Sequence, residues 1–386
     1  MDAELLTMAE TLCIRSAELG ASYAPQILYG IRELLRKVNS YYSNQIESEG
    51  THPIDIEKAT KAVFSENSRE RQLQKLSLVY IEVQKKIEKS FFEDAHISPF
   101  HRSFILDTHK KLYAHPDMTP FLTIHDERNN TTVKMIPGQF RTQNVRIGQH
   151  IAPDYAELST LFNIYETLYR LPPHTTQAKK MIYALASHHR LTWIHPFLDG
   201  NGRTARLVLD GIFASIGLKG YGLWNISRGL SRNSDEYKKY LALADQIRQG
   251  DLDGKGALSL KGLKTYIKFM LGIALDQVDF MQQNLQMNTL YKRIEKYVHL
   301  SQEGMLSSEP LPKYTEPLFK ELLLVGEIQR GKVMNVIHTK DRTATALIKK
   351  LTEMDFLESD TPKGPVRLKF NAHFASYIFP DLIPLQ

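Results

Sequence analysis

The twelve residues His195-Pro196-Phe197-Leu198-Asp199-Gly200-Asn201-Gly202-Arg203-Thr204-Ala205-Arg206 constrain this chain more than any other stretch, because they demand a sharp loop that runs straight into a helix. Gly200, Asn201 and Gly202 tolerate backbone conformations that turn successive N–H groups inward. A helix beginning near Arg203 adds its positive end at the same spot, so the loop reads as a cradle for an anion. Just upstream, Ala178, Met181, Ile182 and Leu185 share one face of a helix expected from Thr175 to Arg190, which delivers the chain into the loop.

Each polar residue of the stretch has a chemical task. Arg203 and Arg206, three residues apart, lie on one helical face and offer two guanidinium forks to neighbouring phosphates. Asp199 supplies a hard oxygen suited to Mg²⁺. His195, with an ordinary pKa of about 6.5, is suited to take a proton from an attacking hydroxyl at neutral pH. A base, a metal-binding carboxylate and an anion cradle within one dozen residues point to phosphoryl-type transfer, in which positioning and charge stabilisation do most of the catalysis. They do not specify which phosphate is attacked. His188, His189, His195 and Asp199 argue poorly for zinc, since adjacent histidines on a helix diverge and no His-x₃-His pair supports them. Asp251-Leu252-Asp253-Gly254 begins like a calcium loop, but Lys255 and Gly262 stand at its fifth and twelfth positions, and it reads as a surface turn.

With 386 residues the chain has room for two or three domains. Its 42% apolar and 24% charged content is ordinary for a globular protein. The single cysteine, Cys13, can form neither an internal disulfide nor a thiolate metal site, which fits a reducing compartment and a cytoplasmic location. The acidic, spaced N-terminus reads as a helix and not a signal peptide, and no run approaches the roughly 18 apolar residues of a membrane span. A formal charge of +6 suits ATP phosphates and nucleic acid equally.

Helical spacing runs from Ala3 to about Lys89, as in Ile27, Ile31, Leu34 and Leu35, with Pro53 interrupting. Ser98-Pro99 opens a further helix carrying Phe104, Ile105, Leu112 and Tyr113. Between Asp117 and Pro153 the pattern becomes short, β-branched and Gly/Pro-punctuated, as expected of a small hairpin or flap. Helices resume at Ala156 and continue to about Thr289. Beyond them come helical segments at 317–324, 331–337 and 342–354, then two β-rich runs around the turn Thr361–Gly364, the order of a winged helix-turn-helix. Its second helix is expected to expose Arg342, Thr343, Thr345, Lys349 and Lys350 and to bury Ala346, Leu347 and Leu351. That face suits contact with DNA or with another protein.

The dodecamer matches the signature HPFxDGNGRxxR of the Fic (filamentation induced by cAMP) family at every defined position, and most of the chain resembles that family. The resemblance implies a mainly α fold: an N-terminal helical region (1–95), a helical Fic core with a β-hairpin flap (96–289) and a C-terminal winged helix (290–386). It implies a protein adenylyltransferase that moves AMP from ATP onto a Ser, Thr or Tyr hydroxyl of a protein, itself included. His195 would be the base and Asp199 the Mg²⁺ ligand. Gly200, Asn201, Gly202, Arg203 and Arg206 would hold ATP, with Phe197 in the core. Gly138, Gln139, Phe140 and Arg141 would belong to a flap that aligns the target by main-chain pairing. Tyr237 and Tyr240 fall where the family contacts adenine, although core packing explains either equally well. Ser43 and Glu47, four residues apart on a helix, fit a solvated face. They also resemble the family's inhibitory motif, in which Glu47 would pair with Arg206 and turn ATP into an unproductive pose. Ser48 departs from the Gly or Asn expected next. Homodimers fit this family. A DNA-binding regulator with a nucleotide-sensing domain and a hydrolase that removes AMP stand as the rival readings.

Overall fold

The computed structural model describes residues 2–94, 96–126, 131–306 and 308–384. The boundary expected at residue 95 lies outside them. Four helices open the chain: α1 (Ala3–Glu18), α2 (Pro25–Ile46), α3 (Pro53–Thr60) and α4 (Ser68–Glu93). Local chemistry sets their starts. The Asn67 side chain accepts from the N–H groups of Arg69 and Glu70, and Pro25 and Pro53 occupy first-turn positions where no N–H is needed. Pro53 thus interrupts the helical pattern by starting a helix. The helix expected from Ser98 begins later, as α5 (Arg102–Tyr113), where His101 Nδ1 caps the Ser103 N–H.

The segment expected to form one hairpin forms two. Strand β1 (Thr123–Asp126) pairs antiparallel with β2 (Thr131–Lys134), with Thr123 opposite Lys134. Strand β3 (Arg146–Ile147) pairs with β4 (His150–Ile151). Residues 138–141 lie in the loop between the two hairpins.

Helices α6 (Leu158–Leu168), α7 (Gln177–Ile194), α8 (Asn201–Ser215), α9 (Ile226–Arg232), α10 (Ser234–Ala244), α11 (Leu260–Asn284) and α12 (Met287–Gln302) follow. Helix α8 lies at the centre, packed by α4, α5 and α7 with α2 alongside, and residues 203–213 of it are buried without a break. A helix covered on all sides buries its polar residues too, so Arg203, Arg206 and Asp210 must find partners inside the protein.

The C-terminal part comprises α13 (Thr315–Val325), β5 (Glu327–Ile328), α14 (Val333–Val336), α15 (Asp341–Glu353), β6 (Leu357–Glu358), β7 (Val366–Leu368) and α16 (Ala372–Ile378). Its three strands form an antiparallel sheet in the order β5-β7-β6. On α15 the buried residues are Ala344, Leu347, Ile348 and Leu351, at helical spacing, whereas Ala346, expected inside, is exposed. This part docks onto the N-terminal helices and onto α9. Gly30 of α2 packs against the Phe370 ring, Glu57 of α3 accepts from the Ala372 N–H at 2.7 Å, and Arg228 Nη2 donates to the Asp381 carbonyl at 2.8 Å. Among the described residues no helix is long and apolar enough to cross a membrane.

Candidate active site

Helix α7 ends because His195 adopts a left-handed conformation (φ 50°), and α8 starts after Gly200, which does the same at φ 75°. A Cβ at Gly200 would collide with the Tyr113 ring, so both backbone and space require glycine there. Between these two points the loop is pinned from several directions. Phe197 is buried and its ring stacks on His109 at 3.8 Å between centroids. The Asn201 side chain accepts from the Phe197 N–H and donates to the Phe197 carbonyl, both at 2.9 Å. Arg141, buried, donates from Nε to the His195 carbonyl at 2.8 Å, and its backbone N–H donates to the Pro196 carbonyl at 2.8 Å. His109 takes the Gly138 N–H on Nδ1 at 2.8 Å, which fixes its proton on Nε2, facing the Asp199 carbonyl at 3.2 Å. Burial pushes this imidazole down to about 4, so the ring stays neutral as a strut between the interhairpin loop and the signature loop.

The surroundings of the His195 imidazole fix its tautomer and its charge. Its Nδ1 lies 3.3 Å from the Thr192 carbonyl, which can only accept, so the proton sits on Nδ1 and Nε2 carries the free lone pair. Burial, and then the nearby His150, push the ring down to about 4. At neutral pH the group is therefore unprotonated and ready to accept a proton. His150 is itself held between the Trp193 carbonyl (3.0 Å) and Asp245 (3.0 Å), which also faces His189 at 3.1 Å.

The two arginines of α8 are each occupied by a carboxylate from just beyond the end of α2. Arg206 donates from Nη2 to Glu47 Oε1 at 2.7 Å and to the Ser43 carbonyl at 2.9 Å, and from Nε to Ser43 Oγ at 2.8 Å. Glu47 Oε1 also lies over Gly202, where any Cβ would strike it. A carboxylate thus fills the N-terminal end of α8, where first-turn N–H groups lack intrahelical partners. Burial opposes its charge, but Arg206 and then Arg203 outweigh that and hold Glu47 below the usual carboxylate range. Ser48 takes a left-handed turn (φ 61°), the conformation for which Gly or Asn is favoured. That turn brings Glu49 to Arg203, Nη1 to Oε2 at 2.5 Å, with Arg69 on its other oxygen at 2.5 Å. Arg203 Nε is buried without a partner among the described residues.

Asp199 is half-exposed, accepts the Gly200 N–H on Oδ1 at 2.6 Å, and keeps Oδ2 3.9 Å from Arg203 Nη2. No group of three or more potential metal ligands exists among the described residues. The donor set fits Mg²⁺, which commonly uses one or two carboxylates with water and substrate phosphates completing its shell.

The other sequence candidates are placed as follows. Tyr237 is buried and its hydroxyl donates to His188 Nε2 at 2.9 Å, while His188 Nδ1 faces the Ala205 carbonyl. Tyr240, half-buried, stacks on Phe269. In the loop between the hairpins, Gln139 is exposed and Gly138 half-buried, whereas Phe140 stacks on Phe162 and the Arg141 guanidinium donates to the carbonyls of His195, Gln143 and Pro153. Asn201 likewise spends its side chain on Phe197. Glu49, His109 and Tyr113 escaped sequence reasoning. Only Glu49 left a signal, as a second carboxylate two residues beyond Glu47.

Residues 99–212 match the family model described as Fic/DOC family. Over 80 residues the chain is 35% identical to the Protein adenylyltransferase Fic of Drosophila ananassae and 36% identical to that of Drosophila melanogaster, in each case covering 21% of this chain. The match spans only 16% of the length of those relatives. The fold is similar to the crystal structure of a Fic family protein from Desulfovibrio desulfuricans G20, with a TM-score of 0.53 at 14% identity over 95% of this chain and 96% of that one. It is also similar to a Fic domain containing signaling protein from Bacteroides thetaiotaomicron VPI-5482, with a TM-score of 0.52 at 16% identity over 72% of this chain and 94% of that one. The loop between α7 and α8, with His195, Asp199, Arg203 and Arg206, falls within the segment that matches the Fic/DOC family model.

Proposed function

We propose that the chain is a protein adenylyltransferase that transfers AMP from ATP to a Ser, Thr or Tyr hydroxyl of a protein and is autoinhibited by Glu47. The observation that carries this reading is a neutral His195 with a free Nε2 beside an anion cradle whose two arginines already grip carboxylates. In the reaction, a target hydroxyl gives its proton to His195 Nε2 while its oxygen bonds to the α-phosphorus. The bond from that phosphorus to pyrophosphate breaks, and Arg203 and Arg206 stabilise the departing charge. Asp199 would hold Mg²⁺, which would neutralise phosphate charge when bound.

Glu47 interferes twice. It takes the donors of Arg206, and its own charge lies over Gly202, where a phosphate would meet a second anion. Displacing it is therefore a condition for a productive polyphosphate pose. The exposed edge around Gln139 is the surface on which an extended target segment would align. We further read the C-terminal part, with its helices α13 to α15 and three-stranded sheet, as a winged helix whose α15 face carries Arg342 and Lys349.

Transfer of label from α-labelled ATP with Mg²⁺ tests the reading. Glu47→Gly is expected to raise self-modification by about tenfold or more, as for removal of one strong ion pair. His195→Ala in the same background should abolish it. Equal labelling by the wild type and Glu47→Gly would remove the inhibitory role, and labelling that survives His195→Ala would remove the base.

A further inference from the structure

The last turn of α7 leaves carbonyls without intrahelical partners, and two histidines from different segments take neighbouring ones. His195 Nδ1 lies 3.3 Å from the Thr192 carbonyl, and His150 Nε2 lies 3.0 Å from the Trp193 carbonyl. The same helix end therefore fixes both the imidazole of the site and a point on the β3–β4 hairpin, with 6.1 Å between the two ring centroids.

The hairpin needs such a point. Its base is tied down by Arg141, which donates to the Gln143 carbonyl at 3.0 Å and to the Pro153 carbonyl at 2.5 Å. Beyond the base each strand has only two residues, and Arg146, Ile147, Gly148, Gln149 and Ile151 are all exposed. The register sets His150 opposite Ile147 on one face and Arg146 opposite Ile151 on the other. A two-stranded ribbon of this size has little stability of its own. Among the described residues, His150 is the only one from 145 to 151 whose side chain hydrogen-bonds outside the hairpin.

The other nitrogen of the His150 ring meets Asp245, the residue that ends α10, with Nδ1 3.0 Å from Oδ2. This carboxylate divides its oxygens between two histidines. Its Oδ1 lies 3.1 Å from His189 Nε2. Arg190 Nη1 donates to His189 Nδ1 at 2.9 Å, so the His189 proton sits on Nε2 and points at Asp245. One oxygen thus ties α10 to α7, and the other is left for the hairpin.

We propose that His150 and Asp245 form a latch that holds the β3–β4 hairpin in place beside His195, and that both are positioning residues for the acceptor hydroxyl. The positioning role rests on the transfer reading, whereas the latch itself does not. Neither residue hydrogen-bonds Arg203 or Arg206, so the latch governs where an acceptor segment lies and not how nucleotide is held. An asparagine in place of Asp245 can accept from His189 through its oxygen and donate to His150 Nδ1 through its nitrogen, while His150 Nε2 still donates to the Trp193 carbonyl. That variant keeps the latch closed, and alanine at either position opens it.

Two measurements on the full chain test this. Amide hydrogen exchange reads the latch without any reaction. Residues 145–152 are expected to exchange about tenfold faster or more in His150→Ala and in Asp245→Ala than in the wild type, with most of the protection recovered in Asp245→Asn. Transfer of label from α-labelled ATP reads the positioning. In the Glu47→Gly background, either alanine variant is expected to lower kcat for self-modification by about tenfold or more and to keep the KM for Mg-ATP within about twofold. Combining the two should cost no more than either alone, as for residues that act through one contact. Unchanged exchange in both alanine variants would remove the latch. Faster exchange with an unchanged kcat, or a loss that falls on the Mg-ATP KM instead, would overturn the positioning role. If Glu47→Gly itself transfers no label, the transfer reading fails and takes the positioning role with it, and exchange alone decides the latch.

Discussion

The His195 imidazole shows how one side chain acquires a task from its neighbours. The Thr192 carbonyl chooses the tautomer, and burial together with His150 lowers the proton affinity. The sign of the consequence is definite. A base works only when unprotonated, so a ring pushed down to about 4 keeps working as the solution is acidified and loses activity only as pH falls through that value. In Glu47→Gly, kcat/KM is therefore expected to be level from pH 7 to about pH 5, because the free enzyme's base sets the acid limb. A limb near 6.5, the ordinary histidine value, would show that the ring is not desolvated as described.

Glu49 extends the same reasoning to Arg203. Removing its carboxylate leaves the buried guanidinium to Glu47 and to the half-exposed Asp199, and frees donors for phosphate. Glu49→Ala is expected to tighten Mg-ATP binding by about tenfold, and Glu47→Gly with Glu49→Ala to bind tighter than either single variant. Calorimetric titration of the three variants checks this. A Glu49→Ala affinity equal to that of the wild type would make the Arg203 contact irrelevant to the nucleotide.

The loop between α7 and α8 holds the candidate active-site residues, but segments far from it in sequence hold its shape. Its existence was legible because the glycines, the proline and the cluster of polar residues are contiguous. The struts were not, because His109, Tyr113 and Arg141 reach it only through tertiary packing and carry no local signature. The sequence presented 138–141 as a flap edge; in the structure the Arg141 side chain donates to the His195 carbonyl and its backbone N–H to the Pro196 carbonyl. Two short elements, β5 and α16, went unread because two to seven residues give too little periodicity to distinguish. A strut should cost stability when removed. His109→Ala leaves the Gly138 N–H and the Asp199 carbonyl unpaired and empties the space against Phe197, which together amount to about 3 kcal/mol. Urea unfolding of this variant against the wild type measures the loss. A difference within experimental scatter would mean that the loop holds itself.

Across the whole molecule, α2 is the part on which everything else leans. Its C-terminal end supplies Ser43 and Glu47 to Arg206, its middle reaches Asp210 through Asn39, and its N-terminal half meets Phe370. The Glu47–Arg206 contact is thus at one end of a helix that the C-terminal part touches both at Gly30 and at Tyr42, whose hydroxyl donates to the Leu382 carbonyl at 3.4 Å. The mainly helical class and the order of helices were readable from apolar spacing. The docking of residues 370–384 against α2 was not, because it joins segments more than 300 residues apart. The most direct test of the account is a crystal structure of the Glu47→Gly variant with Mg²⁺ and a non-hydrolysable ATP analogue. The polyphosphate is expected over Gly202 between Arg203 and Arg206, with the α-phosphorus facing the space beside His195 Nε2. A nucleotide bound elsewhere, or a triphosphate that leaves both arginines untouched, would contradict it.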